Sequence, residues 1–408
     1  MSVLENVREL LRAHEGLKRE VYFDIENASF VPQEVVDAML PYFNQRAYGN
    51  PTLTHKPGWE AFEAIMESSQ KIAGFLGCSV EEINFTPGET EANNLALIGT
   101  TLMARKKGGK IITSQVEPLS VINVVDLLEK FGFTVEKIPV DRDGFINLER
   151  LKEAVDDQTI IVSLSAVNHE IGTIQPIKEA VDIVKSKKPD ILFHTDASDA
   201  YGKIPLNFKD LKVDMATISS PKILGPRGVG VLYVREGVHL ERILEGQIGT
   251  QRLWPGVENT PLIVGFTKAS ELAFHNFNGN VDYMRNLRDK LIDGIFEAVS
   301  DVHLNGPRGD KRAPDNVNIS FLRCEGEALT IELSLHGVYV SSGSACTRRV
   351  LQPSHVLVAI GRRFEEAHGS ILMKVTRYHT DEDIEYALEV IPKAVERLRG
   401  ITGSTVTK

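Results

Sequence analysis

The chain has 408 residues, of which 42% are hydrophobic, and a formal net charge of −10. This length allows two domains with apolar cores, and no apolar run approaches the roughly 18 residues of a membrane span, so neither secretion nor a membrane partner is expected. The cysteines Cys78, Cys324 and Cys346 form no CxxC pair, which argues against a disulfide framework and favours the cytoplasm. Because the basic residues are dispersed, nucleic acid is not an expected partner either.

Short β-branched segments alternate with amphipathic segments over the first two thirds of the chain. Strands are predicted at 82–85, 110–113, 134–140, 159–165, 191–194, 215–218 and 230–234, with helices between them that include 60–75, 121–131 and 178–186. Such alternation is typical of an α/β domain with a mainly parallel sheet covered by helices on both faces.

The pattern changes near residue 283. A long charged helix is followed by predicted strands at 316–321 and 370–375 and predicted helices at 327–335 and 381–398. The sequence therefore predicts a large domain at 20–275 and a smaller α+β domain at 276–408, which residues 1–19 join.

The segment 86–94 reads Thr-Pro-Gly-Glu-Thr-Glu-Ala-Asn-Asn and links a predicted strand to a helix. A glycine turn at the start of a helix presents free backbone N–H groups, here near Gly88, Glu89 and the Thr90 hydroxyl, to an anion. We interpret this segment as a phosphate cradle, and an ordinary helix cap remains the alternative.

Three polar residues follow other predicted strands, at the sheet edge where α/β proteins bind ligands. Asp196 could pair with a cationic ring nitrogen, and Asn168 could touch the same ligand. Lys222 could form a Schiff base, although an isolated lysine is more often a solvated surface residue.

Cys346 lies in a run of small residues, Ser-Ser-Gly-Ser-Ala-Cys, beside Arg348 and Arg349. Exposure next to these cations would favour the nucleophilic thiolate, whereas a cysteine in a glycine and serine turn can also be incidental. The eleven histidines contain no HxH or HExxH pair, so no metal site is predicted.

A phosphate cradle, an acid for a ring nitrogen and a Schiff-base lysine are the fixtures that pyridoxal 5′-phosphate requires. Their order resembles that of the cysteine desulfurases of the class V aminotransferase family, and the resemblance extends from about Val21 to Ile391. Further matching segments are 22–24, 39–43, 48–52, 316–321, 346–347, 352–357, 366–368 and 377–384.

The resemblance implies a fold-type I enzyme that depends on pyridoxal phosphate. It assigns Thr90 and Ser219 to the cofactor phosphate, Asp196 to the pyridine nitrogen and Lys222 to the aldehyde. It also implies that Asn168 and Arg377 position the substrate, and a guanidinium grips a carboxylate with two parallel hydrogen bonds.

The implied reaction converts L-cysteine to L-alanine and leaves the sulfur on Cys346 as a persulfide. The implied partners are a second copy of the chain and an acceptor or scaffold protein for the assembly of iron–sulfur clusters or other sulfur-containing cofactors.

Four positions depart from the family pattern. Pro118 stands where a histidine stacks on the pyridine ring, and Asp199 stands where a glutamine contacts the phenolic oxygen. Pro221 replaces a histidine and Val257 a threonine. Two alternatives to a cysteine desulfurase therefore stay open, namely a selenocysteine lyase or other class V enzyme, and an iron–sulfur scaffold with little catalysis.

Overall fold

A computed structural model describes residues 3–104, 109–343 and 353–405, so the predicted nucleophile Cys346 lies outside the described residues. The described part contains a seven-stranded sheet and a separate four-stranded sheet, each covered by helices. This architecture confirms the predicted fold class. The domain boundaries at 275 and 276 stay a prediction.

Eight strands precede residue 235, and seven of them form the large sheet in the order β2-β8-β7-β6-β5-β3-β4. Their bounds are β1 Val21–Tyr22, β2 Ile83–Thr86, β3 Lys110–Ser114, β4 Thr134–Ile138, β5 Thr159–Ser163, β6 Leu192–Asp196, β7 Met215–Ser219 and β8 Gly230–Val234. Strand β8 is antiparallel to both of its neighbours, and the other six run in one direction. All seven predicted strands are present, with ends that differ by up to two residues.

The helices of the described residues cover both sheets. They are α1 Val3–Ala13, α2 Gln33–Met39, α3 Pro41–Asn44, α4 Lys56–Leu76, α5 Glu89–Ala104, α6 Leu119–Lys130, α7 Leu148–Ala154, α8 Ile177–Lys187, α9 Phe208–Leu211, α10 Thr260–Phe274, α11 Phe277–Ala298, α12 Gly326–Leu335, α13 His355–Ala359, α14 Phe364–His368 and α15 Asp381–Thr405. None of these described helices combines the length and the apolar character that crossing a bilayer requires.

Alternating residues along the large sheet bury their side chains on opposite faces, as the pleat dictates. Ile111 and Ile161 pack with the apolar residues of α5 and α6. Their sequence neighbours Ile112 and Val162 pack with those of α4, α8 and α10. Both faces are therefore buried, which explains why these strands are continuously apolar rather than alternating.

The second sheet is antiparallel, with the order β12-β13-β10-β9. Its strands are β9 Val302–Leu304, β10 Asn316–Phe321, β12 Ser341–Ser342 and β13 Ser370–Lys374, while β11 Val338–Tyr339 pairs with the N-terminal β1. Val21 and Phe23 pack in the same apolar cluster as the buried residues of α11 and α15. The start of the chain therefore joins the C-terminal part.

Asp214 is a buried carboxylate directly before β7. It accepts hydrogen bonds from Lys185 Nζ of α8 at 2.6 Å, from Arg235 Nη2 beyond β8 at 2.6 Å and from the Phe193 backbone N–H at 2.7 Å. One side chain thus connects three elements at the amino-terminal edge of the sheet.

We expect Asp214→Ala to lower the free energy of unfolding by about 3 kcal/mol, because two cations and one buried N–H lose their acceptor. Asp182→Ala, which removes an exposed ion pair with Lys178, is the control and should change stability by less than about 0.5 kcal/mol. Urea unfolding measures both values, and equal effects of the two variants would contradict the role of Asp214.

Candidate active site

Three segments meet at the carboxyl-terminal edge of the large sheet. Asp196 is the last residue of β6, and Lys222 lies in a short 3-10 turn that follows β7. Helix α5 starts beside them after β2, and its Asn93 donates from Nδ2 to Asp196 Oδ2 at 2.7 Å. The structure brings Asp196 and Lys222 to the sheet edge that the sequence predicted, although Asp196 ends its strand instead of following it.

The Lys222 ammonium is buried among carboxylates. Its Nζ donates to Glu26 Oε1 and to Asp199 Oδ2, the latter at 3.0 Å, and Glu89 Oε2 lies 3.9 Å away. Burial alone would lower the pKa of Lys222, but the negative charges of Asp199, Glu26 and Glu89 outweigh it and raise the pKa well above its usual value. The geometry therefore holds Lys222 as a cation.

A second lysine, Lys374 at the end of β13, contacts the same two carboxylates. Its Nζ donates to Glu26 Oε2 and to Asp199 Oδ1, and its side chain is 2% exposed. Lys222, Glu26, Lys374 and Asp199 thus form a closed ring of alternating charge, which we call the charge ring. Sequence reasoning missed Glu26 and Lys374. A lysine at the end of an otherwise apolar strand could have indicated a buried ion pair at Lys374.

Asp199 stands at the position of the family glutamine, and nearby lysines balance its negative charge. Burial would raise its pKa, but Lys222, Lys374 and Lys203 together lower the pKa well below its usual value. Lys203 Nζ lies 3.5 Å from Asp199 Oδ1 and 2.6 Å from Asp315 Oδ2. Asp199 is therefore an ionised carboxylate surrounded by cations.

Asp196 and Glu89 are two further buried carboxyls of the site. Burial raises the pKa of Asp196, which accepts from Asn93 and from the Ser198 backbone N–H at 2.9 Å. Burial and the charge of Asp196 also raise the pKa of Glu89 to about 8. Among the described residues neither acid has a lysine in direct hydrogen-bond contact, although Glu89 Oε2 lies 3.9 Å from Lys222 Nζ.

The predicted phosphate cradle lies at the start of α5. Gly230 of β8 packs so closely that a Cβ there would lie 3.1 Å from the Gly88 carbonyl carbon, which explains the glycine at position 230. Thr90 is exposed in the first helical turn, and Ser219 is buried at the end of β7. The buried Ser220 hydroxyl has no hydrogen-bond partner among the described residues.

The amide of Asn168 is engaged within its own loop. Its Nδ2 donates to the Val116 carbonyl at 2.7 Å, and its Oδ1 accepts from the Glu170 and Ile171 backbone N–H groups at 3.0 and 2.8 Å. The neighbouring His169, which the sequence reasoning did not single out, has a buried Nδ1 without a partner in the described part of the chain. Burial and the charge of Lys222 lower the pKa of His169 to about 3, so its imidazole is neutral.

Arg377 is the predicted substrate-binding cation. It lines the same cavity of about 20 Å³ as Lys222 and Lys203. Its guanidinium carbon lies 4.9 Å from the ring centroid of Tyr378, and its buried Nη2 atom has no hydrogen-bond partner among the residues described. This donor is available to an anion.

Glu170 connects the site to both flanks of the segment that carries Cys346. Its Oε2 accepts from Ser354 Oγ at 2.5 Å, and a Cβ on Gly343 would lie 2.7 Å from its Oε1. Burial raises the pKa of Glu170 to about 8. The described residues on either side of 344–352 therefore meet at one buried carboxyl.

The other departures from the family pattern also lie around this region. Pro118 is the buried N-cap residue of α6, and the Pro221 carbonyl accepts from Ser29 Oγ at 2.9 Å. Val257 is 59% exposed. Thr250, which precedes Val257 in the same segment, donates its hydroxyl to Glu258 at 2.6 Å. Over the described ranges, no cluster of three or more potential metal ligands occurs.

The family model described as aminotransferase class-V matches residues 21–387, which is most of the chain. The chain therefore belongs to the class V aminotransferase family.

Similar proteins identify the group within this family to which the chain belongs. The chain is 43% identical to cysteine desulfurase IscS 1 of Archaeoglobus fulgidus over 93% of this chain and 98% of that protein. It is 43% identical to cysteine desulfurase IscS of Dictyoglomus turgidum, covering 95% and 97%. A solved NifS-like protein superposes with a TM-score of 0.87 at 34% identity and covers 93% of this chain and all of that one. The chain belongs to the cysteine desulfurases of this family, as its sequence motifs predicted.

The buried carboxyl of Glu170 makes the stability of the fold depend on pH. Its folded pKa of about 8 exceeds the ordinary value of 4.5, so the stability that it contributes is complete below about pH 4.5 and is lost as the pH rises to 8. Glu170→Gln imitates the protonated form. We expect its free energy of unfolding relative to the wild type to increase by at least about 1.4 kcal/mol, the equivalent of one pKa unit, between pH 5 and pH 8.

Chemical unfolding at several pH values measures this difference. Glu365→Gln, which changes an exposed carboxyl on the neighbouring α14, is the matched control and should show no such trend. A difference between Glu170→Gln and the wild type that stays constant from pH 5 to pH 8 would show that Glu170 is ionised in the folded protein.

Proposed function

We propose that this chain binds pyridoxal phosphate at the carboxyl-terminal edge of the large sheet, converts L-cysteine to L-alanine and transfers the sulfur to Cys346. The observation that carries the proposal is the convergence of Lys222, Asp196 and the start of α5 at one buried edge. Membership of the cysteine desulfurases supports the same reaction.

The described residues fit the cofactor at its two ends. Among the described residues the buried Asp196 accepts hydrogen bonds from the neutral donors Asn93 Nδ2 and the Ser198 backbone N–H, and a protonated ring nitrogen would supply a cation. The N–H groups at the start of α5 and the hydroxyls of Thr90 and Ser219 would bind the phosphate. Glu89 fits in its neutral form, which its raised pKa favours.

Pyridoxal phosphate, when bound, withdraws electrons from the substrate Cα. Asp196 keeps a proton on the ring nitrogen by accepting a hydrogen bond from it. Lys222 Nζ, once neutral, can take the proton from the substrate Cα. Arg377 binds the substrate carboxylate through its unpartnered Nη2, and this contact orients the amino acid toward Lys222.

Cys346 supplies the nucleophile for sulfur. Its thiolate attacks the substrate sulfur, an S–S bond forms, the bond between the substrate Cβ and sulfur breaks, and the carbon takes a proton. The net reaction of L-cysteine with the thiol gives L-alanine and a persulfide, so no external oxidant or reductant is needed. Glu170, through Ser354, would hold one flank of the segment that carries this thiol.

The partners follow from this reaction. A persulfide must be passed on, which supports an acceptor or scaffold protein for iron–sulfur cluster assembly in the cytoplasm, where thiols persist. The apolar side chains of Phe43, Trp59 and Phe62 are exposed on α3 and α4, and this supports a homodimer in which a second copy covers them.

We expect Cys346→Ala to lower sulfide release from L-cysteine, measured with a thiol reductant, to less than about 1% of the wild-type rate, because the acceptor of the sulfur is lost. Cys78→Ala is the matched control, since burial raises the pKa of the Cys78 thiol to about 12 and makes it a poor nucleophile. Undiminished sulfide release by Cys346→Ala would refute the proposal. Release of selenide from selenocysteine without sulfide from cysteine would identify a selenocysteine lyase instead.

A further inference from the structure

In the charge ring, each carboxylate accepts hydrogen bonds from two lysines. Glu26 accepts from Lys222 through Oε1 and from Lys374 through Oε2. Asp199 accepts from Lys222 through Oδ2 and from Lys374 through Oδ1. The four side chains are between 2% and 13% exposed, so protein contacts and not water set their energies.

This sharing determines what happens when Lys222 leaves the ring. Lys374 still contacts one oxygen of Glu26 and one of Asp199, and Lys203 lies 3.5 Å from Asp199. Neither carboxylate is then left as an isolated buried charge, which would be strongly unfavourable. Lys222 can therefore be released without disrupting the site.

Without the Lys374 ammonium, Lys222 would be the only lysine in the charge ring. Glu26 and Asp199 would direct their full charge at Lys222, and the repulsion between the two buried lysines would also be lost. Both changes favour the protonated form of Lys222. The groups that face Lys222 are Glu26 beyond β1, Glu89 of α5, His169 beyond β5, Asp199 beyond β6 and Lys374 of β13.

We propose that Lys374 is a positioning residue that holds Glu26 and Asp199 when Lys222 leaves them, and so sets the pH at which Lys222 becomes a free amine. The consequence for the cofactor rests on the proposed function. The ammonium proton goes to solvent, the neutral nitrogen attacks the cofactor aldehyde, a C=N bond replaces C=O, and water leaves.

The first test uses the protein without cofactor. Lysines labelled with 13C at Cε report their protonation by NMR, and the Lys222 signal is assigned from its absence in Lys222→Arg. We expect Glu26→Gln to lower the pH midpoint of Lys222 by about one unit or more, and we expect the double variant with Lys374→Gln to raise it again by a similar amount. Equal midpoints in Glu26→Gln and the double variant would overturn the proposal.

The second test follows covalent attachment of pyridoxal phosphate to Lys222 at pH 8, trapped with borohydride and located by mass spectrometry. A shift of one pH unit corresponds to about tenfold, so we expect attachment about tenfold faster in Glu26→Gln and about tenfold slower in Lys374→Gln. Lys393→Gln, which removes an exposed ion pair with Glu389, should behave as the wild type. Thermal unfolding confirms that each variant is folded.

The two tests separate two kinds of failure. If the Lys222 midpoints move as expected but no variant takes up the cofactor, the proposed function fails and the role of Lys374 stands. If the cofactor attaches equally fast in the wild type and in Lys374→Gln, the role of Lys374 is refuted and the proposed function stands.

Discussion

A buried ammonium group requires carboxylate partners, and this requirement shapes the site around Lys222. The charge ring takes Lys222 and Asp199 from the large sheet, Lys374 from the antiparallel sheet and Glu26 from the segment beyond β1. Because each carboxylate contacts both lysines, the loss of one member leaves every other member with one partner of opposite charge. The ring therefore links the two sheets where the ligand site lies.

The same contacts impose a conflict on the chemistry. The ring stabilises the ammonium form of Lys222, whereas attachment of an aldehyde requires the neutral amine. Beside the ring, burial raises the pKa of Asp196 and raises the pKa of Glu89 to about 8, and under the proposed function Asp196 accepts a hydrogen bond from the ring nitrogen of the cofactor. Asp199, which stands where the family has a glutamine, has its negative charge balanced by three lysines.

Sequence reasoning could predict the features that depend on periodicity and chain order. The seven strands of the large sheet were found because strands buried on both faces are continuously apolar, and Asp196 and Lys222 follow from the rule that the carboxyl ends of parallel strands share one edge. Strand ends differed by up to two residues, as at β4, because apolar character continues beyond the last ladder hydrogen bond.

Contacts between distant segments could not be predicted in this way. Lys374 and Glu26 are 348 residues apart in sequence, and no local pattern indicates that they share an ion pair. Asn168 was predicted as a ligand contact from its place after a strand, but that place does not determine that its amide bonds to Val116. Lys374 ends the otherwise apolar strand β13, and this position could have indicated a buried ion pair, since lysine is rarely buried without a partner.

The charge ring holds Lys222 as a cation until the pH or a ligand releases it. The most direct measurement is the fraction of the wild-type protein in which pyridoxal phosphate is covalently attached to Lys222, determined from pH 6 to pH 10 by borohydride trapping and mass spectrometry. We expect this fraction to rise with pH, because the amine becomes neutral only at high pH. Complete attachment at pH 6, or attachment at another lysine, would contradict it.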